Sequence, residues 1–402
     1  MNESLLLTLN AGSSSVKFAV YAAAAQLPLL AAGQIEGLGT DRARFTVHPS
    51  ASLPTEPAST PASAPLRSHA DAVQAILRWQ QQAFAGAQVQ AVSHRVVHGG
   101  TAHTRPVVMD EAVLAELTRL VPLAPLHQPH NLAGIRAAQA AYPGVPQIAC
   151  FDTAFHRQHG FVADTFALPR RYYDEGIRRY GFHGLSYEYI ARQLQTAYPA
   201  QAGGRVIVAH LGNGASMCAM HRGRSVASTM GFTALDGLPM GTRCGQLDPG
   251  VVLYLMSEHG LDAAAISRLL YQESGLKGLS GLSHDVRTLL AANTPAAQDA
   301  LAYFADRCRR EIGALAASLG GLDTLVFTGG IGENAAAVRA DILQNTAWLG
   351  ISLDLTANQT PTSEHARVIS TAASRVQVLV IKTDEERMLA EHAAALIPPH
   401  HD

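Results

Sequence analysis

LLLTLNAGSSSVKFAVY, residues 5–21, is an apolar run broken by a turn of small polar residues and then resumed. That alternation predicts strand, turn, strand. About 200 residues later, RVIVAHLGNGASMCAM (205–220) has the same form, with His210, Leu211, Gly212, Asn213 and Gly214 at its turn. One such unit in each half points to a duplicated chain.

Outward from these units, helical and extended patterns alternate. Residues 69–84 and 110–120 carry helical apolar spacing, and 145–151 read as a buried strand ending at Asp152. Residues 250–270 and 296–319 read as long helices, and 323–328 as a strand entering GGIGEN (329–334). VQVLVIKT (376–383) reads as a strand delivering Asp384, Glu385 and Glu386 to a C-terminal helix. Thr383-x-x-Glu386 spells a capping box, which would occupy Glu386 and leave Glu385 to face a metal. Residues 49–68, rich in Pro, Ala and Ser, read as a surface loop or insertion. The expected class is α/β, with domains at 1–151 and 152–384 and a last helix, 385–402, returning to the first.

Composition narrows the function. The 402 residues are 48% apolar and 15% charged, with 30 Lys and Arg against 32 Asp and Glu. That balance supplies a core but neither the basic stripe of a nucleic-acid binder nor a polybasic membrane anchor. The four cysteines show no CxxC spacing and read as reduced cytosolic thiols. The N-terminus lacks the basic start of a signal peptide, and no run of about 18 apolar residues occurs. A soluble cytoplasmic protein is the expectation. The 18 histidines invite a metal reading through His94/His98, His127/His130 and His156/His159. In a β-rich run, however, i and i+4 lie ~13 Å apart, which argues against zinc at HRVVH.

Three glycine-rich turns could close backbone N–H groups on phosphate: NAGSSSVK (10–17) with Lys17, HLGNG (210–214) and GGIGEN. None is a P-loop or a dinucleotide fingerprint. Three turns at strand ends favour a polyphosphate ligand, although any one alone reads equally as a tight turn. Arg95 and Arg243 lie in glycine-rich loops where a guanidinium fork can hold a carboxylate or a phosphoryl group, or form an ion pair. Asp152 and Glu385 suit Mg²⁺, which needs one or two carboxylates plus substrate phosphates. Asp285 is ambiguous, because a helix N-cap explains it equally well. His183 reads as a donor beside an anion.

NAGSSSVKF, SHRVVHGG, PLAPLHQPHN, FDTAFH, YGFHGLSYEY, HLGNGAS, MGTR.G..DPG, FTGGIGEN and TDEE, in this order and spacing, resemble the acetate kinase family from about residue 7 to 390. The resemblance implies the duplicated actin-like (ribonuclease H-like) ATPase fold, two domains with nucleotide in the cleft between them, and a homodimer. It also implies reversible phosphoryl transfer from ATP to acetate, giving ADP and acetyl phosphate, with Mg²⁺ or alternatively Mn²⁺. Carried over by position, Asn10 and Glu385 are metal ligands and Lys17 a nucleotide-phosphate contact. Arg95 binds acetate, Arg243 and His183 stabilise the moving phosphoryl, and Asp152 is the essential acid. Val97, Leu126 and Phe182 line the methyl pocket. His210 to Gly214, Asp285, Val286 and Arg287, and Gly330, Ile331, Gly332, Glu333 and Asn334 contact ATP. A carboxylate is ionised at neutral pH, so Asp152 is expected to organise Mg²⁺ or orient a partner and not to take a proton. Propionate kinase, a sugar-kinase-like enzyme and an actin- or chaperone-like ATPase are the alternatives.

Two departures from the family pattern stand out. FTALDG has Ala234 where a proline lines the acyl pocket, and GTRCGQLDPG has Cys244 and Gln246 for serine and aspartate. The smaller Ala234 leaves room for one more methylene, whose discrimination is worth only ~1–3 kcal/mol. Initial-rate assays with both acids should therefore give a propionate kcat/KM within about a thousandfold of acetate; a larger gap contradicts the pocket assigned to Ala234.

Overall fold

A computed structural model describes residues 4–12, 15–41, 43–49, 66–125, 127–361 and 365–397. The chain divides into two compact units, Met1–Ala154 with Asp384–Asp402, and Phe155–Thr383.

Unit 1 is built on a mixed sheet of β1 (Ser4–Ala11), β2 (Ser15–Ala22), β3 (Leu29–Glu36), β4 (Arg44–Pro49), β5 (Gln88–Val96), β6 (Val107–Val108) and β7 (Gln147–Phe151). The spatial order is β4-β3-β2-β1-β5-β7-β6. β1 to β4 form an antiparallel meander, β1, β5 and β7 run parallel, and β6 pairs antiparallel with β7. β1 is buried along nearly its whole length, as a strand covered on both faces must be. Leu5, Leu7 and Leu9 join Phe18, Ile76 and Trp79 in one core, with the Phe18 and Trp79 rings 5.1 Å apart. Alternation along the strand sends Leu6, Thr8 and Asn10 to the other face, where helix Glu385–Leu396 packs on β1 and β5.

Unit 2 repeats the plan with β8 (Arg205–Leu211), β9 (Ala215–His221), β10 (Arg224–Ser228), β11 (Thr324–Thr328), β12 (Ala366–Val368) and β13 (Gln377–Ile381), in the order β10-β9-β8-β11-β13-β12. The pairing senses also match: β8 to β10 are antiparallel, β8, β11 and β13 parallel, and β12 antiparallel. Strand for strand, this is the first sheet without β4. Helix Pro295–Leu319 lies against β8, β9 and β10, started by the Thr294 cap and ended at Gly320 in the left-handed region. The chain thus has the duplicated ribonuclease H-like fold.

Several sequence expectations are corrected. The run 250–270 is two helices, Pro249–Glu258 and Ala263–Arg268, because Gly260 turns left-handed and Asp262 caps the second. Asp384, not Thr383, caps the last helix, its Oδ1 accepting from Arg387 N at 2.8 Å. The first boundary falls after Ala154, not 151, and the return crossing at 383/384, not 384/385. Asp152 stays with unit 1 because its N–H bonds Val96 O and its carboxylate bonds Arg95. β3 and β4 have no counterpart in the sequence reading. Most of the 49–68 insertion lies outside the described residues.

His94, fully buried in β5, bonds Gln147 Oε1 at 2.8 Å, and burial lowers its pKa to about 4. Unfolded, the ring takes its proton near pH 6.5; folded, it resists until about pH 4. Stability from this group is therefore complete above pH 6.5 and lost as pH falls toward 4, by about 3 kcal/mol. Urea midpoints measured from pH 7 to 4.5 should fall, and His94→Gln should make that fall shallower; an unchanged slope contradicts it.

Candidate active site

Parallel strands begin their loops side by side at one end of the sheet. In unit 1 this brings together Asn10 from β1, Arg95 from β5 and Asp152 just after β7. Arg95 grips Asp152 with Nε to Oδ1 at 3.0 Å and Nη2 to Oδ2 at 2.6 Å, and its Nη1 donates to Asn10 Oδ1 at 3.2 Å. The Asn10 amide then donates through Nδ2 to Glu385 Oε2 at 2.9 Å and to Glu386 Oε1 at 3.1 Å. Asn10 thus bridges a cation to two anions, which fixes its amide orientation. Its backbone is pinned as well. Asn131 Nδ2 holds Ala11 O at 3.3 Å, and His69 Nε2 lies 2.6 Å from Gly12 O.

Charge is concentrated here. Burial alone would lower the Arg95 pKa, but the charges of Asp152, Glu385 and Glu386 outweigh it and hold the guanidinium protonated. Burial pushes Asp152 upward, against the pull of Arg95. Burial also raises Glu386, with Lys17 opposing and Glu385 adding to the rise. Three carboxylates face Arg95 and exposed Lys17, a negative surplus that suits a divalent cation. Among the described residues no group of three or more His, Cys, Asp or Glu is placed to hold a metal ion by itself. The donors gathered here are carboxylate and amide oxygens, the ligand chemistry that a hard divalent cation takes.

In unit 2 the equivalent strand ends carry His210, Leu211 and Thr328. The turn at Gly212–Gly214 is where His183 and Arg243 converge. A Cβ on Gly214 would lie 3.2 Å from His183 Nε2 and 3.9 Å from Arg243 Nη1. The Arg243 loop packs onto the same turn, with Gly241 N donating to Asn213 O at 3.1 Å and Arg243 Nη1 to Ala234 O at 3.0 Å. His183 stacks on His210 with centroids 4.5 Å apart, and its Nδ1 lies 2.6 Å from Ser216 Oγ. Ser186 Oγ joins His210 Nδ1 to Thr383 Oγ1, at 2.8 Å each. Gly330 borders the same turn, its N–H 4.0 Å from a Cβ built on Gly212. Gly329 must be glycine: its φ is +77°, and a Cβ would meet the Leu211 backbone at 2.8 Å.

The remaining expected residues fall elsewhere. Glu333 turns its Oε1 to Gly329 N, at 2.9 Å, and Thr383 N, at 3.1 Å, stapling β11 to the chain after β13. Its carboxylate is thus committed to backbone, because the first turn of a helix leaves N–H groups to satisfy. Asn334 Nδ2 bonds Gly330 O, and Ile331 and Gly332 lie in the same short helix. Asp285 caps helix Val286–Ala292 and pairs with exposed Arg287 at 2.6 Å, while the Val286 side chain is buried. Val97 and Phe182 are buried, Ala234 is half-buried, and Leu126 lies outside the described residues. Sequence reasoning missed Glu386 as an Asn10 partner, and also Ser186 and Ser216. Ser186 stands inside the YGFHGLSYEY segment and Ser216 closes the HLGNGAS segment, which were the available signals.

The fold and these two polar clusters define a duplicated α/β protein of the kind that handles phosphorylated ligands at the carboxyl ends of parallel strands. The acetokinase family model matches residues 5–391. Acetate kinase of Methylocella silvestris is 57% identical over 399 residues, covering 98% of each chain. That of Nitrobacter hamburgensis is 53% identical over 98% of this chain and 96% of its own. Crystal structures of Porphyromonas gingivalis acetate kinase (35% identity, TM-score 0.83, 98% and 99% covered) and a Francisella tularensis propionate kinase (34%, 0.87, 98% and 100%) share the fold. The chain belongs to the acetokinase family.

Removing Asp152 would strand a buried guanidinium, a loss that costs ~3–5 kcal/mol in buried pairs. Asp152→Ala should lower the urea-unfolding free energy by about that amount, and Asp152→Asn, which keeps one acceptor, by less. Wild-type stability in Asp152→Ala contradicts the pairing.

Proposed function

We propose that the chain catalyses reversible phosphoryl transfer from ATP to the carboxylate of acetate, giving ADP and acetyl phosphate. The observation that carries this reading is the convergence of His183 and Arg243 beside Gly214, two donors around one small-residue turn. It is supported by relatives named acetate kinase at 57% and 53% identity.

In this reading a carboxylate oxygen of acetate attacks the γ-phosphorus. The bond to the β,γ-bridging oxygen breaks, and ADP leaves with its electron pair. No proton has to move, because acetate is already ionised. Catalysis then consists of positioning and of neutralising charge on the moving group. Arg95, held by Asp152 and Asn10, orients the acetate carboxylate; Asp152 acts by fixing that guanidinium. Val97, Phe182, Ala234 and Leu126, the last outside the described residues, are read as the contacts of the methyl group. Arg243 and His183 donate to the phosphoryl oxygens. Backbone N–H groups of Gly212–Gly214 and Gly330 receive the nucleotide phosphates together with Lys17, and Asp285 to Arg287 border the nucleoside. Glu385, Glu386 and Asn10 would hold Mg²⁺, which supplies charge neutralisation at the phosphates when bound.

The same reading includes a homodimer and a cytoplasmic location. Helix Pro249–Glu258 leaves Val251, Leu253, Tyr254 and Met256 exposed on the single chain, an apolar face suited to a second copy. Among the described residues no helix is long and apolar enough to cross a membrane.

Hydroxamate trapping of acyl phosphate across formate, acetate, propionate and butyrate, with ATP and Mg²⁺, tests the activity directly. Arg243→Ala should lower kcat roughly 10³-fold or more while leaving the ATP KM within a few-fold. A loss confined to ATP binding contradicts the role given to Arg243.

A further inference from the structure

Behind His183 lies a buried cluster that the proposed reaction does not use. His156 is fully buried. Its Nε2 sits 3.1 Å from Phe182 O, the carbonyl just before His183, and its Nδ1 sits 2.8 Å from Ser225 Oγ. Ser225 Oγ is also 2.7 Å from His159 Nε2 and 3.2 Å from Cys218 Sγ.

These contacts fix the imidazole and serine hydroxyl protons. A carbonyl only accepts, so His156 Nε2 must carry hydrogen. Burial drives the His156 pKa down to about 3 and that of His159 to about 4, so both rings are neutral at neutral pH. His156 Nδ1 is then a bare lone pair and takes the single Ser225 hydroxyl hydrogen. Ser225 has only acceptor capacity left, so His159 Nε2–H donates to it, while the one Cys218 thiol hydrogen has two acceptors in reach, Ser225 Oγ at 3.2 Å and Ala219 O at 3.6 Å. The chain runs one way, from His159 through Ser225 to His156 and on to Phe182 O.

The ring also determines where that carbonyl sits. Gly181 has φ +74°, and a Cβ there would meet His156 at 2.5 Å, so the 181–183 turn is moulded against the imidazole. The His156 and Tyr187 rings pack in a T-shape, centroids 5.6 Å apart. Tyr187 OH bonds Ser216 Oγ at 2.5 Å, the same hydroxyl that holds His183 Nδ1. His156 thus touches both supports of His183, the backbone before it and the tyrosine behind its hydroxyl partner.

We propose that His156 is a positioning residue that aims His183, with its tautomer locked by Ser225 and His159. It acts through His183 and rests on the phosphoryl-stabilising role read for that residue above.

The test is a double-mutant cycle on the full-length enzyme, read as steady-state kcat and KM for ATP and acetate. His156→Phe keeps the ring volume and removes both nitrogens. It should lower kcat about tenfold, the scale of one lost hydrogen bond, with both KM values within twofold. Added to His183→Ala, it should cause no further loss, because groups acting through one another are not additive. His156→Gln, which can still donate to Phe182 O, should recover most of kcat. Ser225→Ala, which frees the tautomer, should fall between them and guards against misfolding of the phenylalanine variant. Additive losses in the double mutant, or a glutamine variant no better than phenylalanine, overturn the inference. If His183→Ala itself leaves kcat intact, the role of His183 fails first, and the two failures are distinguishable.

Discussion

Adjacent strands in a sheet lie ~4.8 Å apart, and when they run parallel their loops leave from the same edge. β1, β5 and β7 are such a trio, and so are β8, β11 and β13. The Asn10, Arg95 and Asp152 cluster depends directly on that constraint, and in unit 2 the Gly212–Gly214 turn follows one of the parallel strands. Asn10, Arg95 and Asp152 are far apart in sequence, yet they are neighbours because three parallel strands end together. Helix Glu385–Leu396 starts at the same edge and adds two carboxylates.

Such crowding is costly unless each charge finds a partner. A buried guanidinium without a counter-ion would not be tolerated, and Asp152 and Asn10 supply what Arg95 needs. The arrangement leaves the carboxylates in surplus, so the unit is electrostatically prepared for further positive charge. In unit 2 the requirement is the opposite. His183, Arg243 and the Gly212–Gly214 turn present donors, and small residues keep Cβ atoms out of the way. The net charge of the chain, −2, does not show this local division between carboxylates in one unit and hydrogen-bond donors in the other.

Structural supports are as informative as the residues they hold. Glu333, expected to contact nucleotide, spends its carboxylate on backbone N–H groups and thereby fixes the glycine helix against the end of β13. Glu386, expected to cap a helix, bonds Asn10 because Asp384 takes the cap with a shorter side chain. A glutamate's reach covers several candidates, and only the backbone path chooses among them.

The sequence by itself determined the duplicated strand–turn–strand plan, the α/β class, the glycine-rich turns and the residue types that suit phosphate, carboxylate and metal. Apolar periodicity and the conformational demands of small residues are local properties, so they are legible in one dimension. The strands β3 and β4 and the break at Gly260 were less visible: half-exposed strands at and next to a sheet edge carry a weak apolar signal, and an apolar run does not announce where its helix ends. Only the tertiary structure decided that Arg95 meets Asp152, that Asn10 meets Glu385 and Glu386, and that His156 stands behind His183. Those contacts span tens to hundreds of residues, and they arise from strand order and register, which a single sequence does not encode position by position.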